Sequence, residues 1–154
     1  MYLLDANVII TAHRDYYAPD LVPQFWDWLW TCAENGDVKL PRPIYDEIMP
    51  QDDDLKRLMQ LHKEIVVLND DDSDQHVPDV LECYAPDLTA AEIEKIGADP
   101  FLIACGLHYE ATVVSKEGRS NAQRAKRKIP DICVEFDVRC ISDFTFFREL
   151  GFKA

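Results

Sequence analysis

Short apolar runs alternate along the chain with longer stretches of helical periodicity. The runs are aliphatic or β-branched and show no regular alternation of apolar and polar positions, which is typical of strands covered on both faces. The stretches between them are long enough for the crossover helices that parallel strands require. The pattern predicts an α/β fold, a three-layer sandwich with a central, mostly parallel sheet of four to five short strands. The predicted strands are 2–5 (YLLD), 65–68 (IVVL), 111–115 (ATVVS) and 138–141 (VRCI).

The clearest predicted helix spans residues 21–35, where one apolar stripe repeats with helical spacing. Asp20 is its predicted N-cap, and Gly36 is predicted to end it. Trp28 falls outside the stripe, so it is predicted either to be half-covered by another loop or to lie in an interface. Further helices are predicted at 43–49, about 52–63, 73–84, 89–96 and 100–109, and from the N-cap Ser142 to the C-cap Gly151.

The composition is that of a globular protein, with 154 residues, of which 47% are apolar, and it predicts a single domain over residues 1–154. No apolar run approaches the roughly 20 residues that span a bilayer, and the N-terminus lacks the features of a secretory signal. We therefore expect a cytoplasmic protein without a membrane partner. The five cysteines include no C-x-x-C pair, which predicts reduced and mostly buried thiols.

The charge is strongly negative but unevenly distributed. The net charge of −13 argues against a nucleic-acid partner for the surface as a whole. Residues 116–128 (KEGRSNAQRAKRK), the basic segment, nevertheless hold six basic residues and one acid. Such a segment is either a localised contact for a polyanion or a solvated face that balances nearby acids.

Acidic residues occur where the predicted strands and the buried helix meet one edge of the sheet. Asp5 ends the first strand, Asp99 opens the apolar helix at 100–109, and Ser115 and Glu117 follow a later strand. In parallel sheets the carboxyl edge of the strands is where sites are built. Each acid also has a structural explanation: Asp99 as an N-cap, Asp5 in a turn with Asn7, and Glu117 as an exposed side chain.

A group of carboxylates needs a positive partner. Like charges a few ångströms apart repel by roughly 1–4 kcal/mol at a surface-like dielectric. A hard, oxygen-preferring ion such as Mg²⁺ or Mn²⁺ meets this need, and the sequence offers no His or Cys set for zinc. On the predicted helix 43–49, Asp46 and Glu47 flank the apolar stripe on opposite sides, and periodicity does not choose between them.

The segments LLDANVII, RPIYDEIM and GADPFLIACGLHYEATVVSKE together resemble the PIN-domain ribonuclease family, and PQFWDWL and KIPDIC resemble a toxin-like, PIN-like subfamily of it. The resemblance implies catalytic acids at Asp5, Glu47, Asp99 and Glu117, the first three as metal ligands. The fourth acid of the family is usually Asp. Because this chain has the longer Glu117, Asp131 in KIPDIC is an alternative for that position.

The resemblance implies hydrolysis of RNA phosphodiester bonds with Mg²⁺ or Mn²⁺. Asn7 and Ser115 would then orient the carboxylates or the phosphate. The residues expected to contact RNA are Lys116, Arg119, Arg124 and Lys126.

Family members are often toxins paired with a small antitoxin protein, and many are homodimers, so Trp28 is a candidate interface residue. Two alternatives belong to other classes. One is a catalytically inactive PIN-like module that binds RNA or protein. The other is a haloacid-dehalogenase-type phosphatase, which is disfavoured because Asn7 stands where that chemistry requires a second Asp.

Overall fold

A sheet of five parallel strands forms the centre of the molecule in the computed structural model, which describes residues 1–50 and 53–154. The strands are β1 (Tyr2–Leu4), β2 (Val38–Pro41), β3 (Val67–Leu68), β4 (Thr112–Val114) and β5 (Cys140–Ile141). Their order in the sheet is β3-β2-β1-β4-β5, and every neighbouring pair is parallel. Helices flank the sheet, so the predicted α/β sandwich is confirmed.

The sequence pattern missed strand β2, which lies between β1 and β3. Its sequence, VKLP, interrupts the apolar run with a lysine and ends on a proline. Val38 and Leu40 are fully buried, whereas Lys39 donates a hydrogen bond from Nζ to the carbonyl of Ile65 at 2.6 Å. The prediction at 65–68 was half wrong, because residues 65 and 66 complete a short helix before the strand begins.

Ten α-helices occur within the described ranges. Three of them, α1 (Ala6–Thr11), α5 (Lys63–Val66) and α9 (Ile129–Glu135), were not predicted, because each is short and α1 continues into a five-residue π-helix over Ala12–Tyr16. The helix predicted at about 52–63 begins at Asp53, and residue 52 lies outside the described residues. The helices are α1 (Ala6–Thr11), α2 (Pro23–Glu34), α3 (Arg42–Ile48), α4 (Asp53–Leu61), α5 (Lys63–Val66), α6 (Val77–Tyr84), α7 (Ala90–Ile96), α8 (Asp99–Tyr109), α9 (Ile129–Glu135) and α10 (Asp143–Glu149).

Helix ends follow the predicted signals in part. Ser142 caps α10 by accepting a hydrogen bond from the Thr145 N–H at 3.2 Å. Gly36 follows α2 with a φ of +81°, a conformation that favours glycine. The predicted cap Asp20 was wrong, since α2 begins at Pro23 and its N-cap position is Val22, two residues beyond Asp20.

Helix α8 is largely buried, and its first turn lies at the edge of the sheet where the parallel strands end. Its middle residues, Leu102, Ile103 and Ala104, have no exposed surface. Near its C-terminus, Gly106 packs so closely on the sheet that an added Cβ would lie 2.9 Å from side-chain atoms of Val113 and Val138. Because α8 leads directly into β4 and runs against it, the first turn of α8 lies at the edge where the parallel strands end.

Trp28 is covered by the C-terminal part of its own chain. Its Nε1 donates a hydrogen bond to the carbonyl of Leu150 at 3.2 Å, and its ring lies 5.2 Å from that of Phe152. The first of the two alternatives for Trp28 is therefore the one observed. All five cysteines are free, three buried and two half-buried, as predicted. Within residues 1–50 and 53–154, no helix combines the length and apolar character needed to cross a membrane.

Candidate metal centre

Asp5 sits at the carboxyl end of β1 with only 3% of its surface exposed. Its backbone N–H donates to the carbonyl of Val114 at 3.0 Å, which fixes the end of β1 to the end of β4. Its Oδ1 accepts a hydrogen bond from the Ala6 N–H at 2.8 Å, so the carboxylate also caps α1. The backbone thus holds a buried carboxylate in one orientation at the sheet edge.

Asp99 opens α8 as its first helical residue, and the cap position belongs to Ala98. The explanation of Asp99 as an ordinary N-cap was therefore wrong. Among the described residues, no hydrogen bond or ion pair to its half-buried carboxylate is formed. The N–H of Ala98 is satisfied instead by Glu47, whose Oε1 accepts its hydrogen bond at 2.8 Å. The first turn of α8 consequently leaves the Asp99 carboxylate free to face the sheet edge.

Glu47 lies on the last turn of α3 and reaches the start of α8 because Gly97 leaves room for it. Gly97 has a φ of +67°, and a Cβ at this position would lie 2.7 Å from Oε1 of Glu47. Its neighbour Asp46 pairs instead with Arg42 at 3.2 Å. The structure therefore places Glu47 beside Asp99, a distinction that helical periodicity left open.

Glu117 lies just beyond β4 and is held by two backbone contacts. Its Oε2 accepts a hydrogen bond from the Ile129 N–H at 2.8 Å, and its own N–H donates to Oγ of the buried Ser115 at 3.1 Å. Asp131, the alternative fourth acid, is occupied elsewhere, since it accepts hydrogen bonds from Arg119 and, at 3.0 Å, from the Ser120 N–H. Glu117 is thus the fourth member of the group formed by Asp5, Glu47, Asp99 and Glu117, called the carboxylate cluster from here on.

Electrostatic repulsion links the four carboxylates. Burial raises the pKa of Asp5 to about 7, and repulsion by Glu117 and then by Glu47 adds to the rise. Burial raises the pKa of Asp99 to about 8, with further repulsion from Asp5, Glu117 and Glu47, in that order. Lys128 opposes this rise in part. Burial and mutual repulsion together therefore keep Asp5 and Asp99 from being fully ionised at neutral pH.

The buried hydroxyl of Tyr84, the last residue of α6, is a second feature that bears on whether the cluster fits a ligand. Across residues 1–50 and 53–154 it is the one fully buried side-chain oxygen or nitrogen that has no hydrogen-bond partner. Burial raises the pKa of Tyr84, and the charges of Asp99 and Glu117 raise it further, which places the ring near the cluster. A buried hydroxyl without a partner costs about 1–3 kcal/mol, so a water or ligand beside the cluster would satisfy it.

The donor set fits a hard divalent ion, because it consists of carboxylate oxygens with no thiolate or imidazole. The four groups are more widely spaced than the ligands of one closed site. Within the described part of the chain, three carboxylates with oxygens inside 4.8 Å of one another are found only at Asp70, Asp71 and Asp72, which are exposed. The cluster therefore suits two ions, or one that retains several of its waters, as Mg²⁺ usually does.

Three of the four residues predicted to contact RNA form ion pairs within the protein. Lys116 pairs with Asp143 at 2.9 Å, and Arg119 pairs with Asp131. Arg124 pairs with Glu92 at 2.8 Å and also with Asp87. These pairs tie the basic segment to α7, α9 and α10, so most of its charge is already neutralised.

Two other predicted residues differ in their surroundings. Lys126 forms no ion pair with any residue in the described ranges and is exposed. Asn7 is also exposed, on the first turn of α1, and its side chain makes no hydrogen bond to Asp5. Ser115, by contrast, is 1% exposed and contacts the backbone of Glu117 directly. Of the two residues expected to orient the carboxylates, Ser115 forms a hydrogen bond with a residue of the cluster.

The sequence pattern missed two residues beside the cluster. Gly97 was visible only as the end of a helix, and its role as space for Glu47 depends on a contact fifty residues away. Tyr84 lies at the end of a predicted helix and carries no local signal that its hydroxyl is buried near Asp99.

A family model described as a domain of unknown function (DUF4411) matches residues 2–154. The match covers nearly the whole chain, so the chain belongs to that family. No curated protein and no solved structure gives a significant match. The description of the family names no activity, and only the chemistry of the site bears on its function.

Proposed function

We propose that this member of the DUF4411 family is a divalent-metal-dependent endoribonuclease that hydrolyses RNA phosphodiester bonds in the cytoplasm. The observation that carries the proposal is the meeting of four carboxylates, from four separate parts of the chain, at one edge of a parallel sheet. Two of them have raised pKa values and no paired cation within residues 1–50 and 53–154. The resemblance to PIN-domain ribonucleases supports RNA as the substrate.

Asp5, Glu47 and Asp99 would hold Mg²⁺ or Mn²⁺, and Glu117 would complete the cluster. A bound ion of this kind lowers the pKa of a coordinated water and neutralises charge that develops on the phosphate. The chain's own contribution is positional. The backbone fixes the Asp5 carboxylate, Ser115 fixes the backbone of Glu117, and burial keeps bulk water away from Asp5.

The toxin–antitoxin role and homodimerisation rest on the resemblance alone, and we include the role of toxin in the proposal. A net charge of −13 suits a basic segment of a small antitoxin as partner. Purification from the native host tests this role, and we expect a small basic protein to co-elute at a fixed stoichiometry. A chain that elutes alone and as a monomer would contradict both the antitoxin and the homodimer.

A metal-free binding module is the second candidate function. Its supporting observation is that three cluster carboxylates already accept backbone hydrogen bonds, Asp5 from Ala6, Glu47 from Ala98 and Glu117 from Ile129. Carboxylates can serve as helix caps without binding an ion. The melting temperature distinguishes the two functions, because Mn²⁺ binding to the native state raises it with ion concentration and a module does not respond.

An RNA-cleavage assay with Mn²⁺ and with chelator tests the proposed function. Glu47→Gln keeps an oxygen for the Ala98 N–H but removes the charge, and we expect it to lower the cleavage rate about 10–100-fold. Asp46→Asn is the matched control, because the adjacent Asp46 pairs with Arg42 outside the cluster. We expect this control to cleave at the parent rate. Cleavage that persists in chelator, or equal effects of both variants, would refute the proposal.

A further inference from the structure

Three lysines border a cavity that opens beside the carboxylate cluster. The cavity has a volume of about 380 Å³, and its walls include Lys95, Lys126 and Lys128. Asp99 and Glu117 line the same cavity, so the lysines and the cluster face one space. The volume lies in the lower part of the range of about 300–1,000 Å³ typical of small-ligand sites.

These lysines differ from the other cations nearby because, among the described residues, they form no ion pair with a carboxylate. Lys116, Arg119 and Arg124 each form an ion pair with a carboxylate. Within the part of the chain that the structure describes, Lys126 and Lys128 form no ion pair, and the same is true of Lys95 at the end of α7. Unpaired ammonium groups on a chain with a net charge of −13 mark a local site for an anion.

We propose that this cavity binds a phosphate of the RNA backbone adjacent to the bond that is cut. The inference rests on the proposed function, and it assigns phosphate contact to Lys95, Lys126 and Lys128 in place of the paired residues of the basic segment. A phosphate held there lies next to Asp99 and Glu117, so its neighbour along the strand is presented to the cluster. Lysine is a common phosphate ligand because its ammonium group acts as a point charge with three donors.

The bland alternative is that the lysines only balance the charge of the carboxylates. Lys128 does lower the pKa of Asp99, so it contributes to that balance. Charge balance alone predicts that removing the lysines affects stability and leaves RNA affinity unchanged. Phosphate contact predicts a loss of RNA affinity together with a smaller salt dependence, because fewer counterions are released.

The test measures binding of a fluorescent single-stranded RNA by anisotropy in chelator, over a series of salt concentrations. The parent chain is Asp5→Asn/Asp99→Asn, which removes two carboxyl groups whose ionised forms repel RNA. In this background Lys126→Ala/Lys128→Ala is compared with Lys56→Ala/Lys153→Ala, a matched control that changes the net charge equally at two exposed lysines outside the cavity. Lys126→Arg/Lys128→Arg keeps the charges and serves as the rescue. A DNA strand of the same sequence shows whether the contact is to phosphate.

We expect the cavity variant to bind RNA at least tenfold more weakly at low salt. The slope of log affinity against log salt should fall by about 1.4, at roughly 0.7 for each phosphate contact on a single strand. The control and the arginine variant should bind like the parent, and the DNA strand should show the same loss. An equal loss in the control, or no measurable binding by the parent, would overturn the proposal. Because binding is measured without metal, a chain that binds but never cleaves would refute the nuclease and leave the cavity assigned.

Discussion

Asp5→Asn is expected to stabilise the metal-free protein at neutral pH. Asparagine has the shape of the carboxyl group and can still accept the hydrogen bond from the Ala6 N–H, so the cap of α1 is retained. The change removes a buried charge that burial and repulsion from Glu117 and Glu47 disfavour. We therefore expect a gain in the free energy of unfolding even though the substitution targets a proposed metal ligand.

The magnitude follows from the pKa of Asp5. Its rise from 3.8 to about 7 corresponds to about 4 kcal/mol at 1.36 kcal/mol per pH unit. The unfolded chain ionises this carboxyl near pH 4, whereas the folded chain keeps the proton until about pH 7. The folded parent therefore loses stability as the pH rises through this window. The advantage of Asp5→Asn should be near zero at pH 4 and reach about 4 kcal/mol by pH 7.

Thermal melts in chelator at several pH values measure this difference. For a chain of this size, about 2–4 °C per kcal/mol predicts a melting temperature about 8–16 °C above that of the parent at pH 8. Millimolar Mn²⁺ should narrow or reverse the order, because only the parent keeps all four carboxylates. A variant that is less stable than the parent at pH 8, or an advantage independent of pH, would refute the reasoning.

Asp131→Asn is the matched control for a buried carboxylate outside the cluster. Burial raises the pKa of Asp131, but hydrogen bonds from Arg119 and the Ser120 backbone outweigh it and hold the pKa below its usual value. Such a group stabilises the folded state above its unfolded pKa, and this contribution is lost as the pH falls. The control should therefore lose stability at neutral pH and approach the parent in acid, which is the opposite trend.

Three further predictions concern the surroundings of the cluster. Gly97→Ala should lower the free energy of unfolding by about 1–3 kcal/mol in a denaturant titration, because the added Cβ displaces Glu47. The same displacement should weaken Mn²⁺ binding measured by calorimetry, and unchanged binding would contradict this. Tyr84→Phe should leave metal-free stability equal or higher in the same titration, because it removes a buried hydroxyl without a partner. Mn²⁺ affinity should rise steeply between pH 6 and 8 as Asp5 and Asp99 lose their protons, and a flat profile by calorimetry would argue against both ligands.

The sheet edge was predictable because the carboxyl ends of parallel strands meet there whatever the details of packing. This rule alone placed Asp5, Asp99 and Glu117 in one region. Strand β2 was not predictable from its own sequence, because VKLP has too few apolar residues and gains its stability from the buried strands on either side. Local pattern therefore predicted the framework, whereas strand β2 depended on tertiary packing.

The ion-pair partners of the basic segment could not be predicted from the sequence pattern. Arg124 pairs with Glu92, thirty-two residues away, and Lys116 pairs with Asp143, twenty-seven residues away. Such pairs form only once the fold has brought distant helices together. The prediction that Asp99 is a helix N-cap was wrong for a similar reason, because Glu47, fifty-one residues from Ala98, accepts the hydrogen bond of the Ala98 N–H. Composition identified a basic segment, but which of its cations stay unpaired depends on the folded chain.

Glu47 and Glu117 accept hydrogen bonds from the Ala98 and Ile129 amides, so the proposed metal binding would affect the starts of two helices. An ion that attracts either carboxylate would weaken the hydrogen bond that this carboxylate accepts from the backbone N–H at the start of α8 or α9. Solvent exchange of those two protons would then accelerate on loading while the interior of the sheet stays protected. Exchange of these two amide protons would thus report the proposed metal binding without any substrate.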